Sequence, residues 1–576
     1  MRIFVGIASF LFLDILFAQV NYSGSIVSNF GKSQNSFNFF ENRMNINSDW
    51  RNWTAWLEFE HSNPPELGRQ NIGLRKIRLE YQNDSYALKI GDIYEYWGNG
   101  LIFNMLDDQA IDLDTGVKGA LFSYSNDLVG VEYLYGKQRS WRSTIHAPEF
   151  NERIPNHRTD YELNGLKASF NPSYSSYDFY LLNVNNTYSL PFLYSSSGNN
   201  SSNMINSLFY GHSFNQQWGS FESDYHYAVE IKNKGSAHNF NSYVFLNKYS
   251  FSFSLKDYFF NKLSPYDRWD FVNNPGGALF FQQMPTVFRT HSSLYLGRIT
   301  HQTDYNDEVG SSITIEKQNA SNGSFIFNYS QSSRHTEWEN IQNESLTTAW
   351  SVKNHTKLPS SRWQYNPFRE VYLEINGYYR SKLFYQISWA DTYDITDIFS
   401  SIYTNQGHAF SYEAVKAKTI PVILSYELDS KNSINAQFEY QSLKKGIYSF
   451  NPQISNANLI YGSSFSKNTQ TNTFLSLGFS RSPKLSISLN VDNTNTEDIL
   501  VMEKGRNNNI IENILNPIVD KSLTWANIDI VFNAFNSTQI SLTYGSQRGG
   551  VFCSNGICRY VQSFENGFKF GITSAF

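Results

Sequence analysis

The chain has 576 residues, of which 40% are hydrophobic and 17% aromatic, yet it is polar overall, with a mean hydropathy of −0.44. After the N-terminus it contains no apolar run of about 18 residues, which excludes transmembrane helices, and its formal net charge of −5 argues against a nucleic-acid partner. An aromatic but polar chain without long amphipathic helical patterns is typical of an all-β protein, a large antiparallel β-barrel that crosses an outer membrane.

Residues 1–18 have the pattern of a secretory signal peptide. Arg2 precedes an apolar stretch from Ile3 to Leu13, and Ala18 offers a small residue for cleavage. Residues 19–576 are expected to form a single outer-membrane barrel domain. Strand-like alternation begins close to Tyr22, which leaves no room for an N-terminal plug domain.

In the first half of the chain, apolar residues alternate with polar and charged ones at a period of two. This period predicts strands with a charged face toward the lumen and an apolar face toward lipid. A soluble β-sandwich is the alternative, in which the charged face would meet water. The expected lipid-facing residues are Trp53, Ala55, Leu57 and Phe59, then Ile77, Leu79 and Tyr81, and later Val129, Val131, Tyr133 and Tyr135.

The lengths of the connections favour the barrel, because outer-membrane barrels have short periplasmic turns and long extracellular loops. The expected periplasmic turns include 50–52, 83–85, 126–127 and 214–217, and the expected extracellular connections include 61–71, 94–115, 137–160 and 185–203. The same alternation returns toward the C-terminus. It gives roughly 26 strands, within a range of about 22 to 26, if 300–310 and 332–345 are unusually long periplasmic connections.

One extracellular connection, residues 94–115, combines glycines, aromatic residues and carboxylates. The residues singled out in it are Trp97, Gly98, Gly100, Phe103, Asp107, Asp108, Asp112 and Asp114. In water its apolar residues would form an exposed patch, whereas a barrel of roughly two dozen strands has space inside. We therefore expect this loop to fold inward and constrict the lumen, with its carboxylates near the opening, where they would favour cations.

This region also carries a resemblance to a known family. The stretch from Gly91 to Leu101, with Gly-Asp, an aromatic pair and Gly-x-Gly-Leu, is similar to the strand-exit pattern of a family of uncharacterised outer-membrane barrel proteins from Bacteroidota-type bacteria. Further similar segments are Asn273–Pro275 with Pro285–Arg289, Asn306–Gly310, and Arg548–Gly550 with two cysteines. The resemblance implies an outer-membrane barrel without an assigned activity and supplies no catalytic residues.

The two cysteines of the chain, Cys553 and Cys558, fit an exported protein with one disulfide. Asn555 and Gly556 between them favour a two-residue type I′ turn. Such a turn places the cysteines opposite each other with a Cα separation of about 4.5 Å, which a disulfide tolerates. We expect a cross-strand disulfide at an extracellular loop tip.

The final strand has a face of alternating apolar residues, namely Phe568, Phe570, Ile572 and Phe576. It resembles the C-terminal signature that the barrel-assembly machinery recognises, which implies contact with that machinery during biogenesis. Pairing it with the preceding strand requires one extra residue, expected as a bulge at Gly549–Gly550. The bulge would bring Ile540, Leu542 and Tyr544 onto the same face.

Little in the sequence indicates catalysis. The eleven histidines occur singly, and a hydrolase site around His212, His226 or His408 is a distant alternative. The spacing of Asp107 to Asp114 does not match a calcium loop. No enzymatic activity, metal or cofactor is expected.

The leading functional hypothesis is a channel or uptake barrel for an unidentified solute, because a wide barrel with a charged lumen either conducts or is plugged. The alternative is a non-conducting scaffold or surface receptor that partners an envelope or secretion complex. An open lumen would favour the first hypothesis and a loop-filled lumen the second. A Ser, a His and an acid within hydrogen-bond reach would favour a hydrolase.

Overall fold

The structure is a computed structural model. It describes residues 20–34, 38–109, 111–142, 153–189, 202–232, 235–260, 279–319, 322–342, 348–398, 410–450, 460–461, 469–495, 509–515, 523–535, 537–554, 557–561 and 563–576. The expected signal peptide, residues 1–18, lies outside these ranges.

The main sheet is antiparallel and has 25 strands. One of them is the two-residue segment Ile460–Tyr461, and the other 24 form a closed barrel. The barrel strands are β1 (Asn21–Ser33), β2 (Asn38–Trp50), β3 (Trp53–Ser62), β4 (Ile72–Gln82), β5 (Tyr86–Ile93), β6 (Val117–Ser125), β7 (Val129–Arg142), β8 (His157–Phe170), β9 (Ser175–Ser189), β10 (Ser202–Trp218), β11 (Phe221–Glu230), β12 (Gly235–Leu246), β13 (Tyr249–Phe259), β14 (Glu308–Gln318), β15 (Ser324–Ser333), β16 (Phe368–Tyr379), β17 (Leu383–Ile398), β18 (Phe410–Glu427), β19 (Asn432–Phe450), β20 (Gln470–Arg481), β21 (Leu485–Thr494), β22 (Leu523–Phe535), β23 (Thr538–Gln547) and β24 (Phe564–Ala575).

Short elements occupy several of the long connections. Four two-stranded pairs are Tyr96–Trp97 with Phe103–Asn104, Asp107–Asp108 with Leu113–Asp114, Thr336–Gln342 with Thr348–His355, and Gly550–Ser554 with Ile557–Val561. In the described part of the chain, the helices are α1 (Leu294–Gly297) and α2 (Ile510–Leu515), and single 3₁₀ turns cover Gly98–Gly100 and Trp363–Tyr365. Within the described ranges, no helix has the length and apolarity needed to cross a membrane.

The first and last strands close the barrel by pairing with each other. Phe30 lies opposite Phe570, and the backbone of Phe576 exchanges hydrogen bonds of 2.9 and 3.0 Å with Gly24. Closure leaves no free sheet edge, which is the condition for β-strands to cross a bilayer.

The two faces of the wall differ as the alternation predicts. Phe59, Ile77 and Tyr133 are between 37% and 50% exposed on the outside, whereas Glu58 and Lys76 are buried on the inside. A closed barrel with an apolar exterior and a polar interior is a membrane protein of the outer-membrane class. The protein is therefore an outer-membrane β-barrel in contact with lipid.

One end of the barrel has only short turns, and all of the long loops lie at the other end. The short turns are 51–52, 83–85, 126–128, 171–174, 219–220, 247–248, 319–323, 380–382, 428–431, 482–484 and 536–537. They mark the periplasmic end. The turn expected at 214–217 was misplaced, because β10 continues to Trp218.

The difference between the expected 26 strands and the observed 24 arises in the middle of the chain. Residues 300–310 and 332–345 were interpreted as periplasmic connections, which was wrong. Both contribute to long extracellular connections, between β13 and β14 and between β15 and β16. The count of 24 lies within the expected range.

The last hairpin has the expected register but not the expected bulge site. Ile540, Leu542 and Tyr544 lie opposite Ile572, Phe570 and Phe568. The shift occurs between Gly545 and Gln547, with the extra residue on β24 between Phe564 and Gly567. Gly549–Gly550 was the wrong site, because Gly550 instead begins the separate hairpin that pairs Gly550 with Val561.

That separate hairpin contains the cysteines. The backbones of Cys553 and Cys558 lie opposite each other, in the register expected from a two-residue turn. The turn residues and the cysteine side chains lie outside the described part of the structure. The disulfide therefore stays a prediction.

Candidate functional site

The connection between β5 and β6, residues 94–116, lies inside the barrel, and we call it loop A. Trp97, Leu101, Ile102 and Phe103 are at most 1% exposed. They form one apolar cluster with inward-facing residues of β7 to β12, namely Leu134, Leu163, Leu182, Val184, Phe209, Ala228 and Ala237. Loop A is thus attached to one side of the lumen by apolar packing.

Two glycines shape the tip of loop A. Gly98 and Gly100 have φ angles of +61° and +79°, a backbone region that is accessible to glycine at little cost. Next to them, Trp97 donates from Nε1 to Glu132 at 2.9 Å, and Asn99 donates to Asn239 at 3.0 Å. Glu132 lies near the periplasmic start of β7, so loop A reaches deep into the barrel.

Of the four aspartates of loop A, Asp107 and Asp114 form ion pairs with the wall. Lys76 contacts Asp107 and lies 3.2 Å from Asp114, and Arg75 lies 3.7 Å from each carboxylate. Burial, and next the charge of Asp114, raise the pKa of Tyr94, which donates to Asp114 at 3.0 Å. These two aspartates do not form an unopposed acidic ring, because wall cations compensate their charge.

The other two aspartates occupy the second small hairpin of loop A. Asp108 pairs with Leu113 through the backbone, and Asp112 has a φ of +50°. The side chain of Asp112 packs against Gly68 of the β3–β4 connection, where an added Cβ would come within 2.3 Å of the carboxylate. All four aspartates therefore lie on the extracellular side of the apolar cluster.

A second segment, residues 279–307, also lies inside the barrel, and we call it loop B. It belongs to the connection between β13 and β14. Loop B contacts loop A directly: Gln282 donates to the Leu101 carbonyl at 2.6 Å, and Asn104 N–H donates to the Phe281 carbonyl at 2.8 Å. From there it crosses to the opposite side of the lumen.

Glu439 of β19 holds loop B at the start of α1. Its carboxylate accepts hydrogen bonds from Ser293 Oγ at 2.7 Å, Leu294 N–H at 2.9 Å and Tyr295 N–H at 3.0 Å. A carboxylate at this position satisfies backbone N–H groups that a helix leaves unpaired. Glu439 is fully buried by these contacts.

Asp492 of β21 forms the next anchor. It accepts from the Tyr295 hydroxyl at 2.8 Å and from Arg298 at 2.7 Å, and Arg548 lies 3.3 Å away. Burial, and next the charge of Asp492, raise the pKa of Tyr295. The contacts of loop B with this side of the lumen are thus mainly polar, although Leu296 and Ile299 pack on Tyr372 and Ala390.

Two histidines of loop B add further anchors. His291 Nε2 lies 2.7 Å from Glu370, and His301 Nδ1 lies 2.8 Å from Asp394. His301 Nε2 lies 3.3 Å from Glu308. Burial lowers the pKa of His301, but the two carboxylates outweigh it and raise the pKa to about 9.

His301 also has Ser332 Oγ 3.1 Å from Nε2, so a Ser, a His and an acid meet inside the barrel. In a hydrolase, Nε2 must be free to accept the serine proton. Here both ring nitrogens face carboxylates, and the raised pKa favours the protonated imidazole, an anchor rather than a general base. The histidines considered from the sequence do not form this group: His226 lies 3.5 Å from Asp224, His212 contacts three tyrosine rings in tilted arrangements, and His408 lies outside the described residues.

Cavities lie around the two loops among the described residues. One, of about 760 Å³, is lined by loop A and by charged residues of the extracellular half of the wall, including Arg43, Arg75 and Lys118. A second, about 680 Å³, lies beside Asp492 and Arg548. A third, about 540 Å³, lies between loops A and B. In the described part of the chain, no group of three or more His, Cys, Asp or Glu side chains has the arrangement of a metal site.

The sequence matches the model of a family of unknown function, DUF6029, over residues 28–576. The chain belongs to this family. No curated protein matches the sequence.

Three solved structures that are similar to this DUF6029 member have low sequence identity to it. The siderophore receptor PirA from Pseudomonas aeruginosa is 8% identical, with a TM-score of 0.42, over 96% of this chain and 80% of that chain. The copper transporter OprC is 8% identical, with a TM-score of 0.43, over 97% and 81%. The FrpB iron transporter from Neisseria meningitidis is 10% identical, with a TM-score of 0.41, over 96% and 82%.

Loop B is the part of this DUF6029 barrel that sequence reasoning missed. Within it, Pro285–Arg289 was noted only for the family resemblance, and the stretch that begins at Thr300 was interpreted as a periplasmic connection. A signal was present: the consecutive apolar residues Leu279, Phe280 and Phe281 do not follow the period of two that marks the strands. An apolar but aperiodic stretch in a barrel is a candidate for a segment folded into the lumen.

Proposed function

We propose that the protein is a solute-uptake barrel whose lumen is closed by loops A and B and opens when loop B moves. The observation that carries this proposal is the difference in how the two loops are attached. Loop A is attached through an apolar cluster, whereas the far end of loop B is attached chiefly through hydrogen bonds and ion pairs.

The two kinds of contact respond differently to water. Exposing the apolar cluster costs about 25 cal/mol for each Å² of apolar surface, so loop A behaves as part of the wall. Carboxylates such as Glu439 and Asp492 can instead exchange their partners on loop B for water or for a polar solute, which makes the net cost of release small. Loop B is therefore the movable closure.

A non-conducting receptor or scaffold is the second candidate, and the filled lumen favours it. In that case loops A and B would be permanent supports for an extracellular surface that binds a protein partner. The two candidates differ in one measurable property, which is conductance after loop B is loosened.

Asp492→Asn tests this difference. The substitution weakens the contacts with Tyr295, Arg298 and Arg548, and Asp529→Asn is the matched control. Asp529 lies on the adjacent strand, contacts Asn490 and Thr543, and makes no contact with loop B among the described residues.

Single-channel recording in planar bilayers should show rare openings for the unaltered protein and for D529N, and frequent openings for D492N. Complete removal of residues 286–300, replaced by a short Gly-Ser linker, should give a steady conductance. If this deletion variant folds but stays closed, the uptake proposal fails and the scaffold moves ahead.

We also propose that the last strand is the signal for the barrel-assembly machinery. Its outward-facing Phe568, Phe570 and Phe576 are between 37% and 61% exposed, on the face that meets lipid. Phe576→Ala should lower the amount of protein in the outer membrane, whereas Phe122→Ala, on the lipid face of β6, should leave it unchanged.

A further inference from the structure

We propose that the cavity of about 540 Å³ between loops A and B is a binding site for a small organic carboxylate. That this ligand is also the transported solute rests on the proposed function above. The binding itself does not. Three features of the described residues point to an anionic ligand.

The first feature is a buried amide without a partner. Gln283 lines the cavity, is 3% exposed, and neither its Nε2 nor its Oε1 makes a hydrogen bond. Leaving such a group unsatisfied costs about 1–3 kcal/mol, and buried polar groups in folded proteins are nearly always paired. A ligand with a polar group in the cavity would supply the missing partner.

The second feature is a guanidinium without a carboxylate. Arg289 lines the same cavity and lies over the ring of Tyr372, with Cζ 5.5 Å from the centroid. Other cations of loop B, such as Arg298 and His301, have acidic partners, whereas in the described part of the chain no ion pair involves Arg289. An arginine presents paired N–H donors that match the two oxygens of a carboxylate.

The third feature is the state of the acidic residue that lines the cavity. Both oxygens of Glu370 are occupied, one by His291 at 2.7 Å and the other by Thr392 at 3.2 Å. Both oxygens of Glu370 therefore already have hydrogen-bond partners, and among the described residues Glu370 forms no ion pair with Arg289. The second nitrogen of His291, Nδ1, has no hydrogen-bond partner and adds another polar contact.

The remaining lining sets the size and character of the ligand. Asn99 and Asn104 of loop A offer amide groups, and Phe288, Met284 and Ile299 of loop B offer apolar surface. A volume of about 540 Å³ falls within the range typical of small-molecule sites. These residues fit a compact molecule with one or more carboxylates and a short carbon skeleton.

The position of the cavity would also couple ligand binding to opening of the barrel. Its walls come from both loops, so a ligand that contacts Arg289 on one side and Asn104 on the other competes with the direct contacts between the loops. A ligand can shift an equilibrium only through a difference in affinity between the two states. Because the cavity lies between the loops, a difference in ligand affinity between the closed and open forms would change the position of loop B.

The test is a calorimetric titration of the purified full-length protein in detergent with acetate, succinate and citrate, each compared with its neutral amide. The unaltered protein should bind at least one acid ten-fold or more tightly than its amide. Arg289→Gln should abolish this preference, and Gln283→Leu should weaken binding of the acid at least three-fold. Arg380→Gln, in an exposed periplasmic turn, is the matched control and should bind as the unaltered protein does.

Equal binding of acids and amides, or full anion preference in R289Q, would overturn the proposal, and so would binding of none of the three acids. The outcome is separable from that of the proposed function. Loss of anion binding in R289Q, with a barrel that stays closed after removal of residues 286–300, would establish the site and reject uptake. A barrel that opens after this removal, in a protein that shows no preference for acids over amides, would support uptake and reject the carboxylate site.

Discussion

Gly100→Ala should open the barrel by forcing loop B away from loop A. A Cβ at Gly100 would lie 2.1 Å from the Gln283 carbonyl oxygen, whereas ordinary contacts begin at 3.4 Å. The obstacle is backbone and not the end of a flexible side chain. Loop B must therefore shift for the methyl group to fit.

The magnitude has two parts. The φ of +79° at Gly100 adds a strain of about 1–2 kcal/mol for any residue with a Cβ. The clash with Gln283 adds about 1–3 kcal/mol, which is typical of overpacking. Only the clash acts on the contact between the loops, and 1–3 kcal/mol corresponds to a change of roughly 5- to 150-fold in the ratio of closed to open forms.

Gly219→Ala separates the two parts. Gly219 lies in a periplasmic turn with a φ of +61°, and an added Cβ there meets nothing within 4 Å. This control carries the backbone strain without the clash. Single-channel recording should show a higher open probability for G100A than for G219A, and G219A should match the unaltered protein. Equal open probabilities in the two variants would refute the reasoning, because they would mean that contact between the loops does not keep the barrel closed.

Three other predictions follow from single contacts. The two carboxylates beside His301 outweigh the effect of burial and raise its pKa from 6.5 to about 9. The charge of His301 therefore stabilises loop B fully below pH 6.5, and this stabilisation is lost as the pH rises through 9. Open probability should rise over that window, and His301→Gln should abolish the pH dependence. Phe103→Ala should cost about 3–5 kcal/mol and speed amide hydrogen exchange in loop A, whereas Phe122→Ala, which is 45% exposed on the lipid face, should leave that exchange unchanged. Cys553 and Cys558 should resist thiol-reactive reagents until a reductant is added, and labelling of the untreated protein would contradict the disulfide.

The wall of the barrel could be predicted from the sequence because apolar and polar residues alternate along each strand, which faces lipid on one side and the lumen on the other. Glu58 and Phe59 are neighbours in the chain, but one meets the lumen and the other meets lipid. The burial of Trp97 and Phe103 in loop A could be predicted for a related reason, since this local group of residues is too apolar to remain in water. In both cases the information lies within a few consecutive residues.

Loop B could not be predicted because its partners are distant in the chain. Ser293 contacts Glu439, 146 residues away, and Arg298 contacts Asp492, 194 residues away. A polar residue in a loop has no local feature that indicates whether it meets water or a carboxylate on the opposite wall. The position of the bulge in the last hairpin escaped prediction for a similar reason, since the sequence required one extra residue but left open which arm holds it.

The composition of the lumen explains why the two loops must have different roles. The inner face of β7 to β12 carries residues such as Leu163, Leu182 and Phe209, which are fully buried under loop A. If loop A left, this face would be an apolar patch in a water-filled pore, so every open state must keep it in place. The opposite face carries Glu439 and Asp492, which water can solvate once loop B leaves. In the proposed uptake function, opening would therefore occur on the polar side of the lumen, and a solute would pass between loop A and the acidic residues that loop B covers in the closed state.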